Sequence, residues 1–158
     1  MLTRLALLVS LPACTTVAPM PSESQLELCR REVVALHEFF EDWFTGRLQA
    51  SDDVFQRFAL ALDIEFEIVG PGGVAIGRPD LLASLRAAHG AYAETFRIWI
   101  ENLEARALSD DLVLVTYEEW QQDAGSPRAR RSSAVMQCDP EASGGVRWLH
   151  VHETWIND

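Results

Sequence analysis

The sequence has four histidines, and two of them fall together in "WLHVHETW", residues 148–155. On a regular extended strand a His-x-His pair places both imidazoles on one face, about 7 Å apart. They could then share a metal ion if a third ligand came from an adjacent strand, and Glu118 or Glu119 of "YEEW" is the nearest candidate. No His-x-x-x-His, carboxylate triad or cysteine ligand accompanies the pair, so no metal and no cofactor is expected. The alternative chemistry is proton transfer, because imidazole titrates near neutrality and a neighbouring carboxylate can fix its tautomer. His150, His152 and Glu118 are the candidate catalytic set on that reading. A structural reading stays open, in which both histidines satisfy buried polar groups across a sheet.

Regular alternation would put Trp148, His150, His152 and Thr154 on one face of that strand. Trp148, with Trp99, Tyr117 and Trp120 from neighbouring segments, would then line a pocket whose flat surfaces suit a small apolar or aromatic molecule. On the opposite face the same aromatics would build a homodimer contact. The remaining polar candidates are weaker. His37 lies on a helical stretch and reads as packed or solvated, and His89 reads as a partner for helix C-terminal carbonyls. Cys29 and Cys138 have no Cys-x-x-Cys spacing, hence no zinc or redox signature, and Cys29 reads as a buried thiol. "GPGG" lacks the Lys-Ser/Thr of a phosphate loop, and Ser132 and Ser133 lack the flanking glycines of a nucleophile elbow.

The elements that must position these side chains follow from periodicity. Ser24-x-x-Glu27 has the form of a capping box, and Leu26, Cys29, Val33, Leu36, Phe40 and Trp43 then recur at helical steps up to Gly46. A shorter helix follows Ser51. At "DIEFEIV" the period changes to two, with Ile64, Phe66 and Ile68 on one face, and Pro71-Gly72-Gly73 turns the chain back through residues 74–76. Pro79 opens a third helix that stops at Gly90, with Leu81, Leu82 and Leu85 on its buried face. Four strands come next, at 95–107, 112–122, 130–138 and 146–156, separated by turns. In the first of them Phe96, Ile98 and Ile100 share one parity while Leu103, Ala105 and Ala107 take the other, which places a bulge near 101–103.

At 158 residues with 48% hydrophobic side chains, the chain is sized for one domain. A formal charge of -11 opposes binding to a phosphate backbone, so nucleic acid is excluded as a partner. Arg128, Arg130 and Arg131 cluster beside the turn "DAGSP" and read as a solvated hairpin end. The N-terminal "MLTRLALLVSLPAC" has a basic start and a short apolar run, and its "LPAC" resembles the lipobox of bacterial lipoproteins. That resemblance implies a signal peptide over 1–14, a lipid on Cys14 as the one route to a membrane, and a flexible tether over 15–23. The other reading is a mis-assigned start codon ahead of a cytoplasmic protein.

Three helices with a hairpin before the third, followed by four long strands, give an α+β cone: a strongly bent antiparallel sheet packed around N-terminal helices. "FEIVGPGGVAIGRPDLLASL", "FRIWIENLEARALSDDLVLVTYEEWQ" and "RWLHVHETW" resemble the nuclear transport factor two-like superfamily in its SnoaL-like and uncharacterised bacterial branches. The resemblance spans about residues 24–157. It implies a homodimer with a pocket between sheet and helices, used elsewhere in the superfamily for ligand carriage, for cyclase, isomerase or dehydratase chemistry, or for oligomerisation alone. Isomerase-like members keep a general-base aspartate just before the hairpin proline. Gly70 holds that position here, and Asp63 is no obvious substitute.

Overall fold

The computed structural model describes residues 20–156. The expected signal, Cys14 and most of the expected tether lie outside the described residues. Helix α1 (Glu23–Phe44) starts two residues before the sequence reading placed it. Ser22 makes the cap: its Oγ accepts from the Gln25 amide at 3.4 Å, and the Gln25 side chain accepts from the Ser22 amide at 2.8 Å. Gln at the third position does the work expected of Glu, because capping there needs only an acceptor oxygen. Past the helix end, Gly46 takes φ +73°, the left-handed conformation that a glycine adopts without steric cost. Helix α2 (Asp52–Ala59) is capped by Ser51, and α3 (Arg78–Ala87) has Pro79 in its first turn.

Strands β1 (Leu62–Val69), β2 (Ala75–Gly77), β3 (Arg97–Ala107), β4 (Leu112–Gln122), β5 (Arg128–Cys138) and β6 (Val146–Trp155) form one sheet in the order β2-β1-β6-β5-β4-β3. The pairings are antiparallel except β1 with β6, which run parallel, so the sheet is mixed rather than purely antiparallel. The change of parity in β3 is a bulge between Glu101 and Glu104, with Asn102 at φ +51°. Register also breaks in β1 between Leu62 and Glu67, which leaves Ile64 77% exposed instead of on the face shared by Phe66 and Ile68. The third break falls in β6: Val135 pairs with His150 and Met136 with Trp148, so Leu149 is the extra residue.

The helices close over the concave face of this sheet. Phe39, Trp43, Phe55 and Phe58 are buried against Leu62, Val113, Val115, Ala134 and Met136, and each large side chain so placed contributes about 1.5–3 kcal/mol. Polar contacts fix how the helices sit. The Trp43 indole donates to the Leu85 carbonyl at 2.8 Å, tying α1 to α3. Arg57 on α2 donates twice to the buried Glu32 of α1, at 3.0 and 2.7 Å, a paired geometry suited to a carboxylate removed from water. The His89 backbone N–H donates to the Arg86 carbonyl of its own helix end, but its imidazole does not reach those carbonyls: Nε2 meets the Leu48 carbonyl at 2.8 Å and the ring packs edge-on against Trp43. The Cys29 thiol is fully buried, and burial pushes it up to about 12.

Candidate functional site

Between the helices and the sheet lies a cavity of about 220 Å³. Leu36 and Phe40 of α1, Phe66 and Ile68 of β1, Leu81 and Leu85 of α3, and Trp148 and Val151 of β6 make most of its wall. One part of the wall is polar: His37, Tyr117, Glu119, Gln121, Arg130 and Glu153. Their convergence follows from register. Tyr117 of β4 pairs with Ser132 of β5, which pairs with Glu153 of β6, and two residues along, Glu119 pairs with Arg130. Residues two apart on a strand share a face, so all five point inward.

Glu119 collects the donors. Arg130 reaches it through Nε at 3.1 Å and Nη2 at 2.6 Å, Gln121 donates to its Oε1, and His37 Nε2 lies 3.2 Å from its Oε2. Burial by itself would push this carboxyl up; the His37 hydrogen bond and the charges of His37 and Arg130 overcome that and hold it down at about 2. His37 Nδ1 sits 2.6 Å from the Val33 carbonyl, an acceptor, so that nitrogen carries a proton. The other ring nitrogen therefore needs a second proton in order to donate to Glu119.

Glu153 has the opposite balance. It is 5% exposed, and its Oε1 approaches Arg130 Nε at 3.2 Å, a guanidinium already engaged by Glu119. Burial pushes it up to about 7, with the Arg130 charge only partly offsetting this and Glu119 adding to it. Tyr117 is fully enclosed and raised by burial. Among the described residues, two buried polar groups near this carboxyl make no hydrogen bond of normal geometry: the indole N–H of Trp148 and the hydroxyl of Ser132. A buried polar atom left unpaired costs about 1–3 kcal/mol, so these atoms are candidates for contact with water or a ligand.

The extra residue at Leu149 decides where the sequence-predicted site lies. Trp148 faces the cavity as read, but the bulge then reverses parity, so Val151 and Glu153 face inward while His150 and His152 face outward. His150 is half-buried, 4.0 Å from Glu67 Oε1, and His152 is exposed. Glu118 is on the outer face as well, paired with Arg131. Tyr117 lines the cavity, whereas Trp99 and Trp120 stack on each other outside it, their rings 5.9 Å apart and 15° from parallel. The predicted catalytic trio and half of the predicted pocket aromatics are thus on the convex side. Among the described residues no three His, Cys, Asp or Glu side chains gather as a metal cluster.

Of the polar cavity residues, the sequence names Glu119 only as an alternative third metal ligand, reads His37 as packed or solvated and Arg130 as part of a solvated hairpin end, and gives Glu153 no role. The last strand carries no decisive signal: Trp148 and Val151 are three apart, but Leu149 and Val151 alternate regularly, so its apolar residues fit either parity. Arg130 offered none, since it stands in a run with Arg128 and Arg131 that reads as a solvated end. On the neighbouring strand β3, Arg97 is 3.8 Å from Glu41, and Glu101 accepts from the Trp99 indole at 2.9 Å.

Comparison with known proteins adds to this geometry. A family model described as sucrose-6-phosphate phosphohydrolase C-terminal matches residues 29–157. Two curated relatives from Nicotiana tabacum, sucrose-phosphatase 2 and sucrose-phosphatase 1, are 25% and 29% identical over 128 residues, covering 80% and 79% of this chain. The matched region is 30% of each relative, so the chain spans about a third of the length of the curated relatives it matches. Among solved structures, an NTF-2 like protein of unknown function from Pseudomonas aeruginosa superposes with a TM-score of 0.74 at 28% identity, over 82% of this chain and 99% of that one. The CaMKII hub of S. rosetta gives 0.64 at 13% identity, over 86% and 98%. The fold is thus the nuclear transport factor two-like cone.

Proposed function

The chain belongs to the sucrose-6-phosphate phosphohydrolase C-terminal family, and from that premise we propose that it is a small-molecule-binding domain whose ligand enters the cone. The observation that carries the reading is the cavity of about 220 Å³, apolar around most of its wall and lined on one side by His37, Glu119, Arg130 and Glu153. An apolar cavity of roughly 150 Å³ holds benzene, so this one matches a single ring or an equivalent aliphatic body. The ligand is neutral or cationic, with a hydroxyl or amine at the polar wall. Two carboxylates meet one guanidinium there, and that guanidinium is already held by Glu119, a poor match for phosphate or carboxylate. The phosphatase activity in the names of the tobacco relatives is therefore not assigned to this cavity.

Titrating the protein with phenol, cyclohexanol, benzylamine and benzoate, followed by amide chemical shifts, tests the reading. The first three are expected to perturb Tyr117, Val151 and Glu153, and benzoate is not. Absence of saturable shifts at those residues with every probe would refute it.

A second reading rests on Glu153. A carboxyl at about 7 in an apolar cavity is suited to give or take a proton near neutrality, so proton-transfer chemistry of the isomerase, cyclase or dehydratase kind would run through Glu153, not His150 or His152. Self-association is supported by the convex face, which carries the Leu114–Val135 pair and, six residues further along β4, the stacked Trp99 and Trp120, and by the likeness to a hub domain. In that reading Val135→Asp yields monomers in sedimentation velocity, and a monomeric unaltered protein would refute it.

A further inference from the structure

Outside the apolar cavity, at the open end of the cone, a second and more polar concavity of about 410 Å³ runs between Tyr92, the turn of residues 123–126, Arg128 and Trp155. Glu119, Gln121 and Arg130 line both spaces and form the wall between them. The two spaces differ in how their polar groups are used. Along the wall, Glu119 and Arg130 are committed to each other. In the outer groove, Asp123, Ser126 and Arg128 make no side-chain hydrogen bond or ion pair with the described residues, so their donors and acceptors face water. The aromatics are open as well. Trp155 is 42% exposed with the Arg128 guanidinium 4.3 Å from its ring centre, and Tyr92 is 40% exposed.

We propose that this groove at the mouth of the cone is a binding site for a neutral saccharide unit of one or two rings. Among the described lining residues the charges cancel: Glu119 and Asp123 stand against Arg128 and Arg130, which favours neither an anion nor a cation. A saccharide presents closely spaced hydroxyls that donate and accept at once, matching a carboxylate, an amide, a hydroxyl and a guanidinium within one groove. Its C–H faces pack on indole and phenol rings, which bury area at little entropic cost. Size agrees too, since the groove falls within the roughly 300–1,000 Å³ usual for small-ligand sites while the inner cavity is smaller. An anion would have Arg128 as its partner but would meet Asp123 and a chain of net charge -11.

The test is titration of the full chain with sucrose, with glucose and, separately at matched ionic strength, with inorganic phosphate, reading backbone amides and indole N–H shifts. Sucrose or glucose is expected to produce saturable shifts at the Trp155 indole and at residues 123–128. Trp155→Ala should weaken that response roughly tenfold and Asp123→Asn should weaken it less, while Trp99→Ala on the convex face leaves it unchanged. Circular dichroism melting confirms that each variant is folded. No saturable shift with either sugar, an undiminished response in Trp155→Ala, or saturation of the groove by phosphate alone would each overturn the proposal. The inner cavity is scored apart from it, because phenol and cyclohexanol report at Tyr117 and Val151 and Trp155→Ala leaves those shifts intact.

Discussion

Glu118 with Arg131 and Glu119 with Arg130 are two acid–base pairs built from consecutive residues of the same two strands, and they lie on opposite faces of the sheet. Neither carboxylate is open in the single chain, with side-chain exposures of 10% and 4%. The partners differ: Arg131 is 66% exposed and Arg130 is 25%. On the convex side water reaches the guanidinium, and the pair behaves as a surface contact. Hydrogen bonds from Arg131 and then Asn102 keep Glu118 below its usual range. On the concave side one guanidinium serves two enclosed carboxyls: burial pushes Glu153 up, while the His37 hydrogen bond and the charges of His37 and Arg130 hold Glu119 down against its own burial. Identical residue types one step apart thus do different work, and the surroundings, not the pairing, account for it.

The largest effect that would break this comparison is expected from Arg130→Leu. Removing the cation strands Glu119 and Glu153 in the interior and should cost about 3–5 kcal/mol in urea unfolding at pH 7. Arg131→Leu should leave the midpoint nearly unchanged, and equal losses from the two variants would show that the faces are equivalent.

Next in size is a pH effect. Glu153 sits above its ordinary 4.5, at about 7, so between those values the folded protein binds more protons than the unfolded one, and this contribution to stability is lost as pH rises. Each pKa unit is worth about 1.4 kcal/mol, so Glu153→Gln should flatten the pH 4.5–7 limb by up to about 3 kcal/mol. Glu119 works in reverse: its contribution is present above 4.5 and disappears as pH falls towards 2. Guanidinium titrations at pH 3, 5, 7 and 8 separate the two limbs, and a Glu153→Gln curve parallel to that of the unaltered protein would remove Glu153 from the account.

The smallest effect is expected of the His-x-His pair on the convex side of β6. His150→Ala with His152→Ala should change stability by no more than about 0.5 kcal/mol and leave phenol binding in the cavity intact, measured by melting and amide shifts. His37→Ala should weaken both. A double variant that abolishes binding would return the site to the convex face.

Much of the architecture was legible without coordinates. Ser51, Pro79 and Gly46 marked helix ends because capping and left-handed backbone are local properties, and the parity change after Ile100 in β3 announced its bulge. The comparable bulge in β6 went unread, because Trp148, Leu149 and Val151 are all apolar and fit either parity. The first helix began at Ser22 rather than Ser24, since two serines so close offer two caps and only the packed helix selects one.

The sequence by itself determined the order and type of the elements, the apolar stripes on the helices and the α+β cone, because side-chain periodicity and turn chemistry act over a few residues. Tertiary structure alone decided which face of β6 looks inward, and with it that Glu153, Glu119, Arg130 and His37 line the cavity while His150 and His152 face away from it. The physical reason is that one unpaired residue, Leu149, inverts every later side chain in the strand, and whether it is unpaired depends on β5 and β1 alongside it, not on the strand's own sequence.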